Sequence, residues 1–426
     1  MNVLLVVLDS VRAANCSLYG YPADTTPTLS SLAETATVHE QARAPSNWTL
    51  PSHVSLFTGA PAAAHGVTVA DRLEPGHTVW DDLSAAGYDT GLFTENGFVA
   101  SHPVGLAAPF DTVETVPADP PEAYATGREN DGPDGFYYAD RLLSWLDGRE
   151  EWAACLNLMD AHRPYEPAPA YDRWSDEDAW TLQSMLPVRW EFAIHGGEYP
   201  AWQLRGLETL YDGGIRQADA VLGHVLDGLR ERGLFEETLL VVCGDHGEGF
   251  GERGYLPGQP RAVAHIVPMT ERLLHVPLVV KRPGQTTGER VSDPAALTAF
   301  PDVVAATRSG ESAGFSRDRV LASKQPVTGD LRERYERAVE NPGPLFAPSH
   351  AVYDPSGDGV RKTYSWGEAV GEVHVHRPGV VEYRGEGERE RIEAVRGGLS
   401  DPDLRRERSD DITDGTKSQL EALGYF

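Results

Sequence analysis

Val3-Leu4-Leu5-Val6-Val7-Leu8-Asp9 opens with an unbroken apolar run and ends on a carboxylate. The run is short, β-branched and free of polar alternation. Such a strand is buried on both faces, as the central strands of parallel sheets are. Similar runs recur at Thr90 to Phe93, Ala153 to Leu158, Leu239 to Cys243 and Val276 to Val280. Helical patterns lie between them. In the clearest, Ile215, Ala218, Val221, Leu222, Val225 and Leu229 share one face and Gly233 supplies a stop. Strands alternating with helices predict an α/β fold with a mostly parallel sheet. Ligands in such folds sit beyond the carboxyl ends of the strands. Asp9 and Asp245, the latter one glycine beyond Leu239–Cys243, both occupy that place.

The 426 residues, 40% of them hydrophobic, suffice for a large α/β core with a smaller satellite. Beyond about Phe346 the chain turns polar and Gly-rich. Val352 to Tyr353, Val373 to Val375 and Val380 to Tyr383 read there as short antiparallel strands, and Gln419 to Phe426 as a short amphipathic element. The expected division is a catalytic domain over 1–345 and an α+β subdomain over 346–426. Residues 163–210 carry Trp174, Trp180, Trp190 and Trp202. They read as an excursion over the active-site face, touching a glycan or lipid headgroup, or else as a packed surface subdomain.

The net charge of -28, from 37 basic and 65 acidic side chains, repels a polyanion and argues against nucleic acid as a partner. The only lysines are Lys281, Lys324, Lys362 and Lys417. Acidic, lysine-poor composition suits concentrated salt, so a halophilic source is expected; an ordinary acidic enzyme is the alternative. Cys16, Cys155 and Cys243 are too widely spaced for a disulfide framework or zinc cluster. The first apolar run is too short, and lacks the basic flank, for a signal peptide. No stretch approaches the length of a membrane span. The expectation is a soluble cytoplasmic protein.

Three clusters carry chemistry. Thr49 begins Thr49-Leu50-Pro51-Ser52-His53, with Gly59 as a stop, and reads as a helix N-cap. A hydroxyl there faces unpaired N–H groups and the positive end of the dipole, which suits a phosphate or sulfate. Most such threonines only cap. Gly244-Asp245-His246-Gly247-Glu248 follows a strand. Asp245 and His246 can reach one metal ion and, with Asp9 and the Thr49 hydroxyl, complete an O/N ligand set. A metal there would make Thr49 an alkoxide nucleophile. Met159-Asp160-Ala161-His162 also follows a strand. His162 is placed to contact a substrate oxygen or protonate a leaving group, with Asp160 orienting it or binding a second metal. His265 has the same two readings as His162, catalytic or structural.

These motifs, in this order, resemble the sulfatase family of the alkaline phosphatase superfamily. Val3 to Asp9 and Ser10-Val11-Arg12 match its opening; Tyr19-Gly20-Tyr21 and Thr26-Pro27-Thr28-Leu29 match its early segment. Thr49 to His53 and Leu56-Phe57-Thr58-Gly59 match the nucleophile signature. Ala64-His65-Gly66-Val67, Gly87-Tyr88-Asp89-Thr90, the helix Tyr211 to Leu229, Asp245 to Glu248, His275 to Val279 and Leu420 to Tyr425 follow in register. The resemblance implies an α/β/α sandwich around a large mixed sheet with a small C-terminal antiparallel-sheet subdomain. It implies a divalent metal (Mn, Zn, Ca or Mg) on Asp9, Asp245, His246 and Thr49. Thr49 would be nucleophile, and His162 and His265 would act beside the substrate, a small anionic ester.

Several positions depart from the family pattern. Thr49 stands where sulfatases carry the cysteine or serine that becomes formylglycine. His53 replaces the signature Arg and is retained as a catalytic candidate. Ser10 replaces a second metal carboxylate. Glu95 replaces a sulfate-binding Lys, leaving Asn96 as a donor to the substrate. His246 replaces an Asn of calcium-binding members and favours manganese or zinc. Together these point to phosphate mono- or diester hydrolysis, or phosphoryl-group transfer, through Thr49. A sulfatase with unmodified Thr49 is the first alternative, and a non-catalytic binding protein on a decayed sulfatase fold the second.

Overall fold

The structure, a computed structural model, describes residues 1–117, 134–187, 189–267 and 269–407. The amphipathic element expected at 419–426 lies outside the described residues. Eight strands form the main sheet, in the order Glu289–Ala296, Thr37–Arg43, Leu278–Lys281, Thr238–Cys243, Asn2–Leu8, Trp152–Leu158, Asp89–Thr94 and Thr112–Glu114. Leu278–Lys281 is antiparallel to both neighbours. All other neighbouring pairs are parallel.

The opening run explains the layering. Side chains alternate across a strand, and here both sides are apolar. Leu4, Val6 and Leu8 enter one core with Leu142, Leu222 and Val225 of the helices Gly135–Leu146 and Leu204–Glu231. Val3, Leu5 and Val7 enter the other with Leu50, Val54, Trp80 and Phe300, from helices on the opposite face. The result is an α/β/α sandwich. Fully burying each such side chain contributes about 1.5–3 kcal/mol before entropy is counted.

The long helix begins at Leu204, well before the expected Ile215. Gly213 and Gly214 look like a break but lie inside it. A Cβ on Gly214 would stand 2.4 Å from the Asp160 carbonyl oxygen, and one on Gly213 would stand 2.7 Å from Pro167 Cγ. These glycines let the helix approach the loop that carries Asp160 and His162.

A second sheet of five antiparallel strands runs Val320–Ser323, His350–Ser356, Gly359–Trp366, Ala369–Arg377 and Val380–Glu386. It recruits its first strand upstream of residue 346. Glu271 ties it to the main sheet. Its carboxylate lies 3.1 Å from Arg43 Nε and 2.9 Å from Lys362 Nζ, and it accepts a 2.6 Å hydrogen bond from the Tyr353 hydroxyl. Among the described residues, no helix is long and apolar enough to cross a membrane.

Candidate active site

Strand register brings two distant carboxylates together. Val7 pairs with Cys243 in parallel, so Asp9 and Asp245 leave adjacent strands at the same end. His246 arrives with Asp245. One ligand atom from each of the three lies within 4.8 Å of the others, and all three residues are fully buried. His246 Nε2 is 3.6 Å from Asp9 Oδ1 and 3.4 Å from Asp245 Oδ2. His246 Nδ1–H donates to the Gly247 carbonyl at 2.9 Å. That bond fixes the tautomer with Nε2 as the basic nitrogen, the form a metal ligand needs.

Thr49 is the first residue of the helix Thr49–Thr58, and Trp48 is its cap. The expected N-cap role is therefore corrected by one position. Trp48 makes no side-chain cap bond, its indole having no acceptor to offer, and the Thr49 hydroxyl faces the acidic centre. Thr49 Oγ1 lies 3.2 Å from His246 Nε2 and 3.5 Å from Asp9 Oδ2.

The surrounding residues hold the acids in place. Ser10 adopts φ 61°, the left-handed region, and its N–H donates to Asp245 Oδ1 at 3.2 Å while its hydroxyl donates to Asp9 Oδ1 at 3.1 Å. Asn96, expected on the substrate, donates through Nδ2 to Asp9 Oδ2 at 2.9 Å and accepts from the Phe98 N–H. Asn157 donates to the same Asp9 oxygen at 3.5 Å. Sequence reasoning missed Asn157, although it is the one strongly polar residue in the strand Trp152–Leu158. That isolation was the available signal.

The expected histidines divide between two sides. His53 Nδ1–H donates to the Thr49 carbonyl at 3.0 Å and lies 3.6 Å from Asp245 Oδ2. Burial pushes its pKa down to about 4, so it is neutral near pH 7. His265 packs 4.6 Å from His246 and His162 packs 5.3 Å from His265, ring centre to ring centre. His162 Nδ1–H donates to the Arg163 carbonyl at 2.7 Å, and His265 Nδ1–H donates to Glu248 Oε2 at 3.1 Å. Burial lowers the pKa of both. Glu248, quoted in the Asp245 motif but given no role there, thus orients His265. Asn47 does so from the other side, donating to the His265 and Ile266 carbonyls at 2.7 and 2.8 Å.

Asp160 takes another position. Its Oδ1 accepts from Gln217 Nε2 at 2.6 Å and from the Gly135 N–H at 3.3 Å. Its carboxylate thus ties two helices to the His162 loop and is not among the three clustered ligands. In the excursion, Trp190 is buried and Trp202 is 72% exposed. Glu191 accepts from Arg163 in a fully buried ion pair that holds the excursion to the His162 loop. Burial and two arginines set against each other leave the Glu191 pKa at about 2.

The residues fit a divalent cation. Burial would raise the Asp9 pKa, but the electrostatic pull of His246 beside it, the largest opposing influence, holds the carboxyl low. Burial and the charge of Asp9 push Asp245 well above the usual carboxylate range. Asp245 Oδ2 is buried without a hydrogen-bond partner. Two buried acids beside an acceptor nitrogen are costly unless a positive charge joins them. Carboxylate, imidazole and hydroxyl donors are the ligand types a divalent ion takes.

A sulfatase family model matches residues 1–305. A multifunctional alkaline phosphatase superfamily protein of Trinickia caryophylli is 26% identical over 246 residues, covering 50% of this chain and 46% of that protein. An ulvan-active sulfatase of Formosa agariphila is 22% identical over 304 residues, covering 66% of this chain and 56% of the sulfatase. The chain thus spans about half the length of these curated relatives. In fold, it is similar to a phosphonate monoester hydrolase of Agrobacterium radiobacter, with TM-score 0.65 over 88% of each chain at 16% identity. With the central strand, the carboxylate pair and the Thr49 helix all in the matched span, the chain belongs to the sulfatase family.

Proposed function

We propose that the protein is a metal-dependent hydrolase of phosphate mono- or diesters, or a phosphoryl-group transferase, working through Thr49. The observation that carries this reading is the buried Thr49 hydroxyl, 3.2 Å from His246 Nε2 and 3.5 Å from Asp9 Oδ2. A divalent ion held by Asp9, Asp245, His246 and Thr49 would lower the hydroxyl's pKa and offset the charge of an anionic ester. In the first step the Thr49 Oγ–P bond forms and the bond from phosphorus to the leaving oxygen breaks. The hydroxyl proton ends on the leaving alcohol. In the second, water or an acceptor alcohol attacks phosphorus, the Oγ–P bond breaks, and a proton returns to Oγ. His162 and His265 are assigned as the relay. Each commits Nδ1–H to a fixed acceptor, so Nε2 takes and returns the proton. Asn96 and Ser10 keep the Asp9 oxygens aimed while charge moves.

Threonine favours phosphate over sulfate in this reading. A formylglycine hydrate releases sulfate by collapsing to an aldehyde, whereas a threonine ester must be displaced, which phosphoryl chemistry permits. The family match supports the second reading, sulfate ester hydrolysis with Thr49 unmodified. Aryl phosphate monoesters, phosphate diesters and aryl sulfates should be assayed side by side with manganese, zinc, magnesium and calcium, at low and high salt. Phosphoester turnover exceeding sulfate release by at least about tenfold supports the proposal. The reverse ratio supports the sulfatase reading. No turnover with any metal supports a non-catalytic binding protein.

A further inference from the structure

Far in sequence from the buried centre, a second set of metal-ligand atoms converges on the C-terminal sheet. Asp358 sits in the turn between His350–Ser356 and Gly359–Trp366. His374 and His376 are alternate residues of the strand Ala369–Arg377, so both project from one face. His374 Nε2 is 3.3 Å from Asp358 Oδ1, and His376 Nδ1 is 3.3 Å from Asp358 Oδ2. One donor atom from each residue lies within 4.8 Å of the others. Glu382, paired with His374 on the neighbouring strand, puts Oε2 3.5 Å from His376 Nε2. Arg384 shares that carboxylate at 2.9 Å.

We infer that Asp358, His374 and His376 form a surface site for a late first-row divalent metal ion of the zinc or copper class. Two imidazole nitrogens and a carboxylate select such ions over calcium or magnesium. The two rings stand 4.3 Å apart, close enough for a single cation to serve both. The ladder already positions the donors. Tyr383, Glu382 and Val381 pair with Val373, His374 and Val375, and His374 itself is 8% exposed. The backbone of the site also touches the main sheet: Gln41 Nε2 donates to the His376 carbonyl at 3.0 Å. A bound ion therefore stiffens the C-terminal sheet where it meets the edge of the catalytic sheet.

The test uses the full chain without an affinity tag, stripped by chelator and titrated with zinc by calorimetry. Copper(II) loading with electron paramagnetic resonance provides the second readout. Beyond zinc taken by the buried centre, wild type should bind one further equivalent that Asp358→Asn and His376→Ala both lose or hold roughly 100-fold more weakly, while the buried centre loads equally in all three. Aryl ester turnover and circular dichroism of both variants should match wild type. Copper should show coupling to two imidazole nitrogens. Asp358 has its side chain 81% exposed, so its replacement keeps the fold even if a histidine variant does not. Equal zinc stoichiometry and affinity in Asp358→Asn and wild type, or a copper signal without imidazole nitrogen, overturns the assignment.

Discussion

Thr49→Ala should abolish turnover, by about 10⁴-fold or more in kcat/KM, while metal affinity changes little. The two effects separate because the side chain has separate tasks. Asp9, Asp245 and His246 remain to hold the ion, and their orienting bonds from Ser10, Asn96 and the Gly247 carbonyl do not involve the Thr49 side chain. The fold loses one buried hydroxyl, at about 1 kcal/mol. Thr49 also caps nothing with its side chain, so the helix start is not weakened. Thr49→Ser should recover part of the activity, since it restores the oxygen and omits only a methyl group. Steady-state kinetics on an aryl phosphate diester, with metal titration of the same preparations, checks both halves. Undiminished turnover in Thr49→Ala would remove Thr49 from the chemistry.

Glu271→Ala should be the most damaging stability change, at about 3–5 kcal/mol. It deletes the carboxylate shared by Arg43, Lys362 and the Tyr353 hydroxyl and strands two buried cations between the sheets. Burial, outweighed by Lys362 and Arg43, leaves the Glu271 pKa at about 2 against an ordinary 4.5. A lowered carboxylate stabilises the fold above its unfolded pKa and loses that contribution as pH falls through the folded value. The window therefore runs from about pH 4.5 down to about pH 2. Burial also lowers the Lys362 pKa, so part of the gain at Glu271 is offset by the cost of the buried ammonium. Asp212 and Asp219, raised by burial to about 6, titrate the other way and lose stability as pH rises towards 6. Only the difference between wild type and variant isolates Glu271. Denaturant midpoints across this range should converge at the acid end; a constant gap at every pH would contradict the charged role.

The central strand was legible because both its faces are apolar, the mark of a strand buried in the middle of a parallel sheet. Asp9, Asp245 and His246 were legible because strand ends are where parallel sheets gather function, and the parallel pairing of Val7 with Cys243 delivers them. The strand Thr37–Arg43, second from the sheet's edge, was not. Its His39, Gln41 and Arg43 are buried, so polarity concealed a strand that tertiary partners make tolerable. The reason for Gly213 and Gly214 inside the long helix was also hidden, because it is the Asp160 loop packed against them and not a local propensity. Asn96 was expected on the substrate by analogy with a lost lysine; its hydrogen bond to Asp9 had no signal in the sequence. The Arg163–Glu191 pair gave no signal at all, since it joins a loop to the six-residue helix Trp190–His195, too short to show a period.

The central claim is that Thr49 carries a phosphoryl ester during turnover. Metal-loaded enzyme should be mixed with an activated aryl phosphate diester, quenched in acid within one turnover, digested and analysed by tandem mass spectrometry. A phosphoryl ester should appear on the Thr49 peptide, decay when substrate is exhausted and be absent from Thr49→Ala. Turnover with no ester at Thr49, or with the ester on another residue, would contradict it.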